Sequence, residues 1–140
     1  LIQCKRNLLF GEIERYKNFH GYADFYIYGI NLAGIKKIEE YDDTSTFSLR
    51  EMNNRIEEIT INSIIEFFDE LKDDKNSPIN ELFDLNFAHA LNSQMAKCII
   101  IGPSNENQLH HTLSLHNTFK NDSSLPHAEL IQNFANNIKS

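Results

Sequence analysis

Three sets of side chains in this sequence have the types that chemistry needs. The first is Glu14, Asp24 and Lys36, with Glu12 as an alternative to Glu14. Two carboxylates on neighbouring elements can hold a divalent cation, and a nearby ammonium can support the water that attacks a phosphoester. The second is the histidine-rich run Gln108-Leu109-His110-His111-Thr112-Leu113-Ser114-Leu115-His116. Imidazoles act as acid–base groups and metal ligands near neutral pH. The third is Gly102, Ser104 and Asn105, which follow the apolar run Cys98-Ile99-Ile100-Ile101. In open α/β sheets, ligands bind beyond the carboxyl ends of strands, where the next helix presents free amides.

Each set departs from a complete motif. The order Glu14, Asp24, Lys36 resembles that of the PD-(D/E)xK nucleases over the first third of the chain. The resemblance implies two acids on Mg²⁺ and a lysine beside the attacking water. Here Gly34-Ile35-Lys36 lacks the acid of Glu-x-Lys, and Glu39 and Glu40 come after the lysines. The spelling His-x-Thr occurs at His110-His111-Thr112 and His116-Asn117-Thr118 and resembles the His-x-Thr strands of two-histidine phosphoesterases. In that family the two motifs lie on separate strands; here they sit close together on one predicted helix. At about 100° per residue, His110, His111 and His116 do not share a helical face. The His/i+4 pair that metals favour is missing. No metal ligands and no cofactor are expected. The loop after Ile101 has no Lys, and Pro103 removes one amide, so it is not a Walker loop. The weak catalytic candidates are therefore Glu14, Asp24, Lys36, His110 and His116, and the ligand-binding candidates are Gly102, Ser104 and Asn105.

The elements that must carry these residues follow from periodicity. Apolar residues at Ile2, Leu8, Leu9, Ile13 and Tyr16 suit an amphipathic helix over 2–19, interrupted at Gly11. Residues 22–28 alternate, with Ala23, Phe25 and Ile27 on one side and Tyr22, Asp24, Tyr26 and Tyr28 on the other, which predicts a strand. A turn at Gly29-Ile30-Asn31 and a second strand over 32–41 complete an expected hairpin. Ser48-Leu49-Arg50-Glu51 spells a capping box for a helix over 49–57. Further helices are predicted over 64–72, from Ser77-Pro78 to Ala96, over 105–119 and from Pro126 onward. The apolar run at 97–101 reads as a strand buried on both faces, at the centre of the sheet. The expected fold is α/β (or α+β): a small mixed sheet with an N-terminal hairpin and a buried strand at 97–101, packed by about five helices.

The chain has 140 residues, a hydrophobic fraction of 41% and a charged fraction of 24%, which suit one globular domain over 1–140. It begins at Leu1, which suits a domain of a longer protein or a processed chain. The formal net charge of −7 argues against non-specific nucleic-acid binding, which depends on Lys and Arg neutralising phosphates. No apolar run approaches the ~20 residues of a membrane span. Cys4 and Cys98 form no disulfide framework, and both are expected to be buried or helical thiols of a reducing, cytoplasmic protein. The acidic balance and the tyrosines Tyr22, Tyr26 and Tyr28 point to a protein partner, since Tyr is enriched at interfaces. The leading expectation is thus a non-catalytic binding or regulatory module. The alternative is a phosphoester-processing enzyme such as a divergent metal-dependent nuclease, and a third reading is a small-molecule sensor built on the 102–105 loop.

Overall fold

The computed structural model describes residues 1–9, 11–31, 58–121 and 127–139. Three short strands, β1 (Ile2–Lys5), β2 (Phe25–Tyr28) and β3 (Ala96–Ile99), form a parallel sheet in the order β1-β2-β3. A 3-10 segment, Glu12–Phe19, crosses from β1 to β2. Four α-helices follow: α1 (Glu58–Asp73), α2 (Leu82–Leu91), α3 (Glu106–Asn121) and α4 (Ala128–Lys139). The class is α/β.

The sheet is built around β2. Phe25 and Ile27 are fully buried, while Tyr28 on the other face is exposed. The alternation read from the sequence places these side chains as expected. Both edges of β2 are occupied, by Cys4 and its neighbours on one side and by Ala96, Cys98 and Ile99 on the other. Main-chain bonds extend the ladders: Ile2 N donates to Asp24 O, Arg6 N to Tyr28 O and Ile100 N to Ile27 O. The second strand of the expected hairpin, 32–41, and the capping box with its helix at 49–57 lie outside the described residues.

Several elements differ from their predicted form. Residues 2–19 are not one helix. Ile2–Lys5 is a strand that pairs with β2, and the remainder is 3-10. The spacing Ile13, Tyr16, Phe19 repeats every three residues, which aligns side chains on one stripe of a three-per-turn helix. Cys4 is therefore a buried strand residue rather than a helical one. Among the described residues the strand expected at 97–101, observed as Ala96–Ile99, lies at the sheet's edge and not at its centre. Lys97, Cys98 and Ile100 are exposed, so a run without alternation here does not mean burial on both faces. The register slips between Phe25 and Tyr26, whose partners are Ala96 and Cys98, and the bulge re-aims the skipped Lys97. The helix predicted from Ser77-Pro78 starts later, at Leu82, because Asp84 rather than Ser77 supplies its first hydrogen bonds.

The helix α2 is the core of the molecule. Residues Asp84 to Ala90 are all buried, and the helix packs against α1, α4 and β3. Phe67 of α1 stacks on Phe134 of α4 with ring centroids 4.1 Å apart. Asn92 Nδ2 donates to Ala128 O and ties the end of α2 to the start of α4. On α3 the inward residues are Thr112, Leu115 and Phe119, while Leu109, Leu113 and His116 of the predicted stripe face solvent. No helix among the described residues is long and apolar enough to cross a membrane.

The two leucines of α3 give a direct test of this rotation. Leu115 is 7% exposed and Leu113 52%. Leu115→Ala should cost about 2–5 kcal/mol, and Leu113→Ala no more than about 0.5 kcal/mol. Urea denaturation of the two variants decides it, and equal losses would contradict the packing.

Candidate functional site

A cleft of about 570 Å³ opens beyond the carboxyl ends of β2 and β3. Its floor comes from Gly29, Ile30 and Asn31 after β2 and from Ile100 to Pro103 after β3. Its wall comes from the starts of two helices, with Glu81 and Phe83 at α2 and Asn107, Gln108, His111 and Thr112 on α3.

The floor depends on Gly29. Its φ of +65° is left-handed, and an added Cβ would meet the Lys5 side chain at 3.3 Å. Buried Asn7 reinforces this turn, since its Nδ2 donates to Gly29 O at 2.9 Å while its Oδ1 accepts from Leu9 N. One side chain thus clamps the loop after β1 to the loop after β2. Asn31 in turn accepts from Nδ2 of buried Asn86 on α2.

The wall depends on Asp84. Its Oδ2 accepts the backbone amides of Asn80 and Glu81, both at 2.9 Å, which satisfies donors at the open end of α2. Its Oδ1 lies 2.7 Å from Nε2 of His111 on α3. Asp84 is fully buried and His111 is partly exposed to the cleft. The contact fixes the imidazole's orientation. The Phe83 ring lies beside His111, 6.3 Å between centroids. Donor atoms of Glu81, Asp84 and His111 all fall within 4.8 Å of one another. Among the described residues no Lys or Arg lines the cleft.

The residues singled out from sequence are distributed as follows. Gly102 lies in the cleft floor. Ser104 and Asn105 serve the α3 N-terminus instead: Ser104 N donates to Gln108 Oε1, and Asn105 Oδ1 accepts from Gln108 N. His110 pairs with Glu106 on the exposed face of α3, and His116 is exposed. Glu14 pairs with buried Arg6, whereas Asp24 pairs with Lys97 at 2.9 Å. The two acids thus answer different cations, and Lys36 lies outside the described residues. Tyr22 is 88% exposed, Tyr28 is exposed and Tyr26 half-buried. Cys98, expected to be buried, is exposed at the sheet edge.

Sequence reasoning passed over Glu81 and Asp84 and did not separate His111 from its neighbours. A signal existed for Asp84: a carboxylate between Phe83 and Phe87 on a mostly apolar helix must find partners if buried. Nothing in the spacing of residues 84 and 111 announces their contact. Comparison with known proteins finds no matching family model, no matching curated protein and no matching solved structure.

The Lys97–Asp24 pair has a measurable electrostatic consequence. The hydrogen bond and charge of Asp24 raise the Lys97 ammonium above its ordinary 10.5. A raised lysine favours folding fully below 10.5, and the contribution fades as pH climbs through the folded value. Asp24→Asn should return Lys97 to its ordinary range in an NMR titration of the side-chain ammonium. An unchanged titration would exclude Asp24 as the cause.

Proposed function

We propose that this chain is a small-molecule-binding α/β domain whose site is the cleft between β2, β3, α2 and α3. The observation that supports this reading is the cleft's position beyond the carboxyl ends of parallel strands, where open α/β sheets take their ligands. Its volume suits a drug-sized molecule, for which pockets run to about 300–1,000 Å³. Phe83 and the isoleucines 30, 100 and 101 offer apolar surface, while Asn31, Asn107 and Gln108 offer paired donors and acceptors. This chemistry favours a neutral, polar, ring-bearing molecule such as a nucleoside or sugar. Phosphoester processing, the alternative drawn from the sequence, needs positive charge, which none of the described lining residues carries.

Gly102 supplies the test. A Cβ built there meets nothing within 4 Å, and its backbone is not left-handed. Gly102→Phe therefore adds a ring at the cleft lining without straining the chain. A thermal-shift screen against nucleosides and sugars should raise the Tm of the parent protein for at least one compound, because a ligand that binds only the native state stabilises it. In Gly102→Phe, that shift should vanish while the ligand-free Tm holds. A shift that survives the substitution would place binding elsewhere.

A second reading, the protein-binding module, is favoured by a separate observation. Tyr16, Phe19 and Tyr22 are exposed together along the 3-10 segment and the turn after it, on a chain of net charge −7. Large apolar groups rimmed by charge mark interaction surfaces. Phe19→Ser with Tyr22→Ser should leave urea stability unchanged and abolish cross-linking to a co-purified partner. Retained cross-linking would remove this surface from consideration.

A further inference from the structure

We propose that Glu81, Asp84 and His111 bind one divalent transition-metal ion, of the Zn²⁺ or Mn²⁺ kind, in the wall of the cleft. This deepens the small-molecule reading above and rests on it for the ion's purpose, though not for its binding.

Two independent features converge on these residues. The first is charge. Asp84 is fully buried, and its ion-pair partner among the described residues is His111 rather than a Lys or Arg. Buried charges are paired or coordinate metals. With Glu81 alongside, two carboxylates face a single imidazole, and a divalent cation balances them. The second is geometry. With Zn–N and Zn–O bonds of about 2.0–2.2 Å, tetrahedral ligand atoms lie about 3.4 Å apart. His111 Nε2 and Asp84 Oδ1, hydrogen-bonded at 2.7 Å, need to part by well under an ångström to take two such corners. Glu81, whose side chain accepts the Asp84 amide at the helix start, has a carboxylate oxygen within 4.8 Å of both.

The surroundings fit a ligating site. The amides of Asn80 and Glu81 hold Asp84 Oδ2, which leaves Oδ1 directed at His111 and orients the carboxylate from behind. Glu81 and His111 both line the cleft, so the ion's remaining positions open onto it. Three protein ligands with open positions is the arrangement of catalytic rather than structural zinc. One imidazole with two carboxylates selects Zn²⁺ or Mn²⁺ over Mg²⁺, which prefers oxygen ligands and water. The bound ion supplies positive charge to a cleft whose described lining has no Lys or Arg, and extends its ligands to molecules carrying a carboxylate or phosphate.

Isothermal titration of the EDTA-stripped full chain tests the site directly. Zn²⁺ or Mn²⁺ should bind at one ion per chain, with Mg²⁺ much weaker. Glu81→Gln and His111→Gln should each weaken binding by at least about tenfold, with urea midpoints confirming that the variants fold. His110→Gln, on the exposed face of the same helix, should bind like the parent. Binding lost in His110→Gln but kept in His111→Gln, or no 1:1 binding at all, overturns the proposal. Zn²⁺ bound equally by the parent and Gly102→Phe, with no nucleoside or sugar bound by either, upholds the ion and rejects the small-molecule reading. A nucleoside bound by a chain that ignores Zn²⁺ and Mn²⁺ does the reverse.

Discussion

Asp84 sits on a helix with no solvent face over seven consecutive residues, so its charge has to be met from within the protein. It is met in two ways. One oxygen satisfies amides at the start of α2, which would otherwise be orphaned near the core. The other fixes His111 and thereby couples α2 to α3. Removing the carboxylate would leave the Asn80 and Glu81 amides and the His111 ring without this partner. The contact that holds the two helix starts together also forms the wall of the cleft. Stability and site geometry are therefore carried by the same atoms.

The sheet imposes the complementary constraint. Parallel strands need crossover connections, so all three carboxyl ends emerge on one side. At that side β2 ends in a left-handed glycine and β3 ends at Gly102-Pro103, and neither chain continues straight. The two loops separate and leave a gap that α2 and α3 flank without filling. Asn7 keeps the gap from relaxing, because its side chain bonds both the loop after β1 and the turn after β2. The cleft is thus a consequence of topology, held open by a few buried polar side chains.

Local patterns in the sequence were legible where a single face decided them. Phe25 and Ile27 alternate with tyrosines and are buried as that alternation requires, and Ile131 and Ala135 of α4 follow a clear helical stripe. The 97–101 run misled because an apolar sequence reports hydrophobicity and not strand position. At an edge, one side of Ala96–Ile99 has no neighbouring strand among the described residues, and Cys98 reaches solvent. Ile2–Lys5 misled for the opposite reason: four residues are too few to show a period, and pairing with β2 outweighs helix propensity. Gly102, singled out by its place after a strand, lies in the lining of the cleft. Asp84 and His111 were not singled out, because their partnership spans 27 positions and depends on how two helices pack.

Charge decides what the cleft can accept. The chain carries −7 overall, and among the described residues the cleft has an acid at Glu81 but no Lys or Arg. From these described residues a bare phosphate or carboxylate meets repulsion and the partial charges of amides. A neutral polar molecule meets Asn31, Asn107 and Gln108, whose hydrogen bonds carry no such penalty. An anion becomes admissible once a cation precedes it, and the side chains able to hold one are those that close the wall. The nuclease-like order of Glu14 and Asp24 has no such link to the cleft, since Arg6 and Lys97 already neutralise these acids. The proposed ligand class therefore turns on the charge of one corner, where Glu81, Asp84 and His111 meet.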